Sequence, residues 1–501
     1  MSMTDGAFLP DRLGKEQKRP SKVIILAVVL VAILIVGAVA WVTVRSVSHP
    51  SNHTRHESIS IVGNGEFTRA NGVTSGSGTA SDPYIIADWD INMSAAGGDG
   101  ILVQDAVAHF TVRNCHVHGA NGYSGIHLSH CVDGNLENNT LLYNLMGIDL
   151  SSSRNITLID NKCSGGGYGI YLSSSSNNNT LTNNICIAHV YNCIYLLSSN
   201  NNTLNNNKCI GQSIHLDSSS YNNILNNNCS NNQVGIVLDS VSNDNTLTEN
   251  TCSSDYNIGI ALDSSSNNTL NGNDCSNITY GSQSLSEIGV YGIYLSSSSN
   301  STLINNNCSN DYDGIYLHSS RDNTLSNNNC SSNDHAGIDL FQQCNSNTLS
   351  SNNCSSDGHR GIIIEQSSRN SLRDNNCSSD GADGIYLGLL SSNNEVSHNL
   401  VRNNAGYGVI IDYSTDYPGS NNRIWNNTFI GDNGATGTYD SSRAQAFDGG
   451  AHNWWNSTEG YGNYWSDWTT PDAVPPWGVV DHPYDISGSA GAKDYYPLTT
   501  S

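Results

Sequence analysis

From Leu158 to Cys377 the chain repeats one pattern of apolar and polar positions. A lone Leu or Ile sits among Thr, Asn and Ser; five residues on comes a Cys, then a turn, then Gly-Ile-x-Leu, then a run of serine and asparagine. The first spacing is constant, as in Leu181 to Cys186, Leu270 to Cys275, Leu303 to Cys308 and Leu349 to Cys354. The second is not: it is 7 residues from Cys163 to Ile170, 5 from Cys209 to Ile214, 8 from Cys354 to Ile362 and 18 from Cys275 to Ile293. One turn is thus free to change length.

The cysteines mark the period. Cys163, Cys186 and Cys209 are 23 and 23 apart, Cys229, Cys252 and Cys275 follow at 20, 23 and 23, and after a gap of 33 come Cys308, Cys330, Cys354 and Cys377 at 22, 24 and 23. Cys115, Leu141, Val401 and Phe429 fill the same slot in weaker copies, which makes ~14 units. Asn and Ser favour turns over helix, and the L-x-x-L-x-L of leucine-rich repeats is absent. Short apolar segments separated by Asn/Gly bends predict an all-β fold, a single-stranded right-handed parallel β-helix of about 23 residues per coil, like residues stacking ~4.8 Å apart. Leu270, Cys275, Ile260 and Leu262 are expected to point inward, with Asn273 and its equivalents at bends where left-handed backbone and amide ladders satisfy main-chain groups. Fourteen cysteines in an exported chain raise the prospect of disulfides. Eleven, however, share the inward column and read as small apolar filler, leaving the redox state of Cys131, Cys193 and Cys344 open.

Val23 to Val44 is an uninterrupted apolar run, ~33 Å long as a helix and enough to span a bilayer. Lys15, Lys18, Arg19 and Lys22 precede it, which keeps the N-terminus cytoplasmic and exports the rest. The small-x-small triplet Ala38-Val39-Ala40 keeps a cleaved signal peptide as the alternative. The expected organisation is a cytoplasmic tail (1–22), an anchor (23–44), a stalk (45–58), an N-terminal cap and lead-in (59–100), repeats (101–432) and a C-terminal cap (433–501). In that last segment Trp454, Trp455, Tyr461, Tyr464, Trp465 and Trp468 suit a plug over the open end of a solenoid, or else a sugar-stacking platform.

A net charge of −24 excludes nucleic acid as partner, since phosphate binding needs clustered cations. In Gly-Ile-x-Leu-x the x positions face outward. Their first column includes Tyr171, Tyr195, Tyr294, Tyr316, Asp339 and Tyr386, the next Asp217, Asp239 and Asp263, a set suited to sugar hydroxyls or cations. The variable turn gathers Asp311 and Asp313, Asp334 and His335, Asp357, His359 and Arg360, then Asp380 and Asp383. Carboxylates one or two coils apart there bracket glycosidase separations, and Arg360 among carboxylates would serve elimination from a uronic acid. The alternative is that Asp and Gly are ordinary turn residues. The segment from Ile278 to Val290 is a lid over this face or an inert loop. His116, His118, His127, His130 and Cys131 are donors suited to copper or zinc. Sequons at Asn92, Asn155, Asn277 and Asn456 are open to glycosylation.

The repeats resemble those of NosD-like proteins, a group named for a periplasmic copper-binding protein and placed with the pectin-lyase-like fold and the carbohydrate-binding and sugar-hydrolase β-helices. "GSGTASDPYIIADWDI" (76–91) resembles the opening segment of archaeal surface proteins of this kind, and "GNYWSDW" (462–468) with "DYYPL" (494–498) resembles their closing motif. In many relatives an Asp/Gly-rich loop suggestive of calcium follows; here that stretch is "TTPDAVPPWGVVDHPYDI". The resemblance implies the same fold from about Ile59 to Leu498. The expected function is a membrane-anchored, extracytoplasmic module that binds glycans or cell-envelope components without catalysis. A polysaccharide lyase or glycoside hydrolase working around Asp334 to Asp383 is the first alternative, and a copper accessory protein the second. No cofactor is required by this reading, and calcium or copper stays open.

Overall fold

The computed structural model describes residues 53–279, 289–412, 419–475 and 477–500. The expected tail, anchor and most of the stalk lie outside them, as does most of the Ile278–Val290 insertion. Among the described residues no helix is long and apolar enough to cross a membrane.

The chain winds into a right-handed parallel β-solenoid of about 14 turns, with no α-helix among the described residues. Three walls run its length. The leucine wall is a sixteen-stranded sheet from Val73–Ser75 to Arg423–Trp425; the isoleucine wall, also of sixteen strands, runs from Ile59–Val62 to Ala446–Asp448. The cysteine wall has seven strands, ending at Lys208–Ile210, and four more from Asn376–Ser378, joined by single bridges such as Asn228 to Thr251 and Asn353 to Asn376. Apart from Val73–Ser75, which pairs antiparallel with Tyr84–Ala87, each strand of the walls pairs in parallel with the same segment of the next coil, as Leu270 does with Leu303 and Ile260 with Ile293. The walls start ahead of residue 101, since Ile59–Val62 already pairs with Ile101–Gln104.

Leu270, Cys275, Ile260 and Leu262 are fully buried, as are their equivalents on other coils. All fourteen cysteines are free and buried. Two of the three outside the column stand in for serine. Cys131 and Cys344 occupy corner positions where a serine hydroxyl elsewhere accepts the N–H of the coil before, and the Ser320 N–H donates to Cys344 Sγ at 3.4 Å. Cys193 takes the place of the glycine before Ile194, and its thiol donates to the Cys186 carbonyl at 3.2 Å.

The inner asparagines form a continuous ladder. The Asn250 backbone N–H donates to Asn273 Oδ1 at 3.0 Å, the Asn273 N–H donates to Asn306 Oδ1 at 3.0 Å, and Asn273 Nδ2 donates both to the Leu247 carbonyl at 3.0 Å and to Asn306 Oδ1 at 2.9 Å. The left-handed residue is the one before the ladder position, Gly272 at φ 66° and Asn305 at φ 55°, so bend and ladder are carried by adjacent residues.

The ladder ends in the cap. Asn463, within "GNYWSDW", is its last rung, and its N–H donates to Asp494 Oδ2 of "DYYPL" at 2.7 Å. Trp465 extends the cysteine column, stacked 4.3 Å from Phe429 and 4.0 Å from Tyr484, with its indole N–H on Asp494 at 3.0 Å. Trp455 and Trp465 plug the end, whereas Trp454 and Tyr461 remain exposed.

Asn273→Ala should cost about 3 kcal/mol in denaturant unfolding, because it strands the buried Asn250 donors and the Leu247 carbonyl. Thr324→Ala, on the exposed side of the leucine wall, should stay within about 0.5 kcal/mol.

Candidate functional site

Parallel register turns single outward residues of the isoleucine wall into columns. Asp149, Tyr171, Tyr195 and His215 follow one another, and after Val237 and Ala261 so do Tyr294, Tyr316, Asp339, Ile363 and Tyr386. The residue before each Gly-Ile also reaches this surface. Tyr168 stacks on Tyr171 at 5.3 Å and Tyr291 on Tyr316 at 4.6 Å, two rings that the alternating-strand reading leaves out although Y-G-I-Y occurs twice in the sequence. Within each group the rings are nearly parallel, 17° between Tyr171 and Tyr195 and 16° between Tyr294 and Tyr316. Their faces are therefore spent largely on one another, and hydroxyls and ring edges are what a ligand meets. Tyr195 donates to Asp217 at 3.1 Å and Tyr386 to Asp412 at 2.7 Å. His215 lies 3.1 Å from Asp239, while Asp263 is exposed.

The second tyrosine group runs into the most polar part of the wall. Asp313 and Asp339 flank His335, one donor atom of each lying within 4.8 Å of the others, and His335 Nδ1 is 2.7 Å from Asp313 Oδ1. The His335 ring stacks between Tyr312 at 5.0 Å and His359 at 5.4 Å. Burial, with Arg360 and His335 nearby, holds His359 below the usual imidazole range, so it is neutral at pH 7. Burial and then the neighbouring carboxylates push the Tyr291 and Tyr316 hydroxyls far up, so both remain donors. Arg360 Nε donates to Asp383 at 3.1 Å, and its guanidinium lies 3.8 Å over the Tyr386 ring.

The structure thus gathers His335, His359, Arg360, Asp383, Asp339, Tyr294, Tyr316 and Tyr386 on one strip and sets Tyr171, Tyr195, Asp217 and Asp239 on another. Asp334 is exposed at the tip of the turn. Asp357 and Asp380, expected among the catalytic set, are each only 2% exposed and face inward, where their Oδ1 atoms accept backbone N–H groups of Asn333 and Asp357. They belong to the wall because that corner, on this coil and the next, is closed by a buried acceptor for the N–H of the coil before. The expected metal set also divides. His116 and His118 meet Asp90 on the cysteine wall at 2.9 and 3.4 Å; His127 lies between Asp99 and Asp149 on the isoleucine wall at 2.9 and 3.6 Å; exposed His130 is 3.8 Å from Asp105; and Cys131 is interior. Burial raises Asp149 to about 6, against the pull of His127.

A parallel β-helix with a polar, tyrosine-rich wall defines the class. The profile of the family described as "Periplasmic copper-binding protein (NosD)" matches residues 57–214, 188–284, 211–354 and 286–470, overlapping stretches that together run from 57 to 470. The chain belongs to this family. Among solved structures it is similar to the periplasmic alginate epimerase AlgG at 14% identity (64% of this chain, 84% of that one, TM-score 0.36). It is also similar to the A-module of the Azotobacter vinelandii mannuronan C-5 epimerase AlgE4 at 14% (72% and 87%, TM-score 0.39) and to the Dettilon tailspike protein at 11% (68% and 62%, TM-score 0.35). No curated protein matches.

Arg360→Ala removes an ion pair and a ring contact that are both mostly buried. It should lower stability by about 2 kcal/mol in denaturant unfolding, with Arg360→Lys recovering only part of the loss, since an ammonium lacks the planar fork.

Proposed function

We propose that this is an extracytoplasmic β-helix protein, held at the membrane by residues 23–44, whose isoleucine wall binds a glycan or envelope component without turning it over. The observation that carries this reading is the row of edge-on tyrosines leading into His335, His359 and Arg360. It offers hydroxyl and imidazole groups along an open strip several coils long, a shape suited to a polymer's hydroxyls. The full chain should retain at least one member of a panel of neutral and acidic polysaccharides without shortening it. Tyr316→Phe and His335→Ala should each weaken retention about tenfold, or about 1.4 kcal/mol, while Asp357→Asn leaves it unchanged. Chain shortening that disappears in His335→Ala would replace binding by catalysis, with the Asp313-oriented imidazole as the acid or base.

A second reading rests on the Asp90, His116 and His118 group, whose donor atoms lie within 4.8 Å of one another. Two imidazoles and a carboxylate fit the copper of the family's description, and they fit calcium poorly, since calcium takes oxygen ligands. Burial, offset in part by Asp90, holds His116 below its usual range, so its ring is neutral at pH 7 and has a lone pair for a metal. Copper bound there would be a soft, redox-capable centre carried by the protein. After loading and desalting, the full chain should keep about one copper per molecule by elemental analysis, and His116→Ala with His118→Ala should abolish this while sparing polysaccharide retention.

A further inference from the structure

At the corner between the cysteine and isoleucine walls, a buried side chain accepts the N–H of the coil before on most of the later coils. Some of these side chains are amides. The Gly211 N–H donates to Asn232 at 2.6 Å and the Asp380 N–H to Asn404 at 2.8 Å. Both asparagines use Nδ2 to reach a carbonyl of the cysteine column, Cys229 at 2.6 Å and Cys377 at 3.0 Å. Other rungs are acids in the same place. Asp255 accepts from Asn232 at 2.7 Å, Asp357 from Asn333 at 2.8 Å, Asp380 from Asp357 at 3.0 Å and Asp432 from Asn404 at 2.9 Å. Each is at most 2% exposed. In all four, Oδ2 is buried with no hydrogen-bond partner among the described residues.

That second oxygen sits where the amide N–H₂ sits on neighbouring coils. A Cβ on Gly361 would lie 2.8 Å from Asp380 Oδ2 and 2.8 Å from the Cys354 carbonyl, so the two oxygens share one small space. An ionised oxygen there would face a carbonyl across no donor, whereas a protonated one can donate to it as asparagine does.

We propose that Asp255, Asp357, Asp380 and Asp432 are held as neutral acids in the place of asparagine, and that this seam makes the β-helix a fold for acidic surroundings, loosening as the pH rises. The titratable groups facing the seam are themselves acids: Cys229 at Asp255, Cys330, Cys354 and Asp380 at Asp357, Cys377 at Asp380, and Asp380 again at Asp432. Burial raises Asp255 to about 9, Asp357 to about 10, Asp380 to about 7 and Asp432 to about 8, reinforced by the neighbouring acids at Asp255, Asp357 and Asp432. A chain with only 13% charged residues, against about 25% in ordinary globular domains, is suited to the same conditions, where carboxylates lose their charge.

The native state binds protons that the unfolded chain has released. The seam's contribution is therefore full below about pH 4 and is lost as pH rises from there through the folded values. Thermal unfolding of the full chain should show a midpoint that falls between about pH 5 and pH 9. Asp357→Asn with Asp380→Asn should flatten the dependence and raise the midpoint at pH 8, with little change at pH 5. The converse change, Asn404→Asp, should steepen it, and a carboxylic-acid band in the infrared spectrum at pH 7 should weaken in the double variant. A midpoint that is flat or rises over this range, or a double variant less stable than the parent at pH 8, would overturn the proposal.

Discussion

The fold depends on how the main chain is satisfied at its bends. A coil this short turns three times, and each turn points backbone N–H groups at the next coil from positions that water does not reach. Buried asparagine answers this repeatedly, one amide accepting from the coil before and donating to a carbonyl of that same coil. Because each rung needs the next, the ladder propagates from coil to coil, as expected of a solenoid in which every repeat contacts only its neighbours. It also needs an end. Asp494 supplies one by accepting from Asn463 and Trp465 together, so the closing motif is the terminus of a hydrogen-bond chain as well as an aromatic plug.

The same regularity shapes the isoleucine wall. With register held by the ladders, residues one coil apart are brought to ring-stacking distance, and the tyrosines of the isoleucine wall become short parallel stacks. Stacking stabilises the wall and turns hydroxyls outward. Where the column changes to Asp339 and the turn supplies His335, His359 and Arg360, the surface passes from hydroxyl edges to paired imidazole, guanidinium and carboxylate. The Asp90, His116 and His118 group lies on the cysteine wall and the tyrosines on the isoleucine wall, so the two sets of polar side chains occupy separate faces of one chain.

The corner beside the cysteine column shows how far one geometric demand can be met by different chemistry. Asn232, Asp255, Asp357 and Asn404 all accept a backbone N–H there, and cysteine or serine does so at another corner. The demand is for an acceptor of the right reach. What the second atom of the side chain does, donate as an amide or hold a proton as an acid, then decides how the fold responds to pH.

The period, the inward columns of Leu, Cys, Ile and Leu, the asparagine bends and the capping role of Trp465 were all legible in the sequence, because a solenoid writes each contact as a spacing and repeats it. The candidate site was legible only in part. Strand alternation placed Tyr294, Tyr316 and Asp339 in the outward column where the structure has them, but it missed Tyr168 and Tyr291, since the glycine after them lets two outward residues share one strand. Turn composition grouped Asp357 and Asp380 with His335 and Arg360, yet the walls separated them. In a turn of variable length, a one-residue difference decides whether a carboxyl points into the core or out to solvent, and only the hydrogen bonds made by the finished coil fix which.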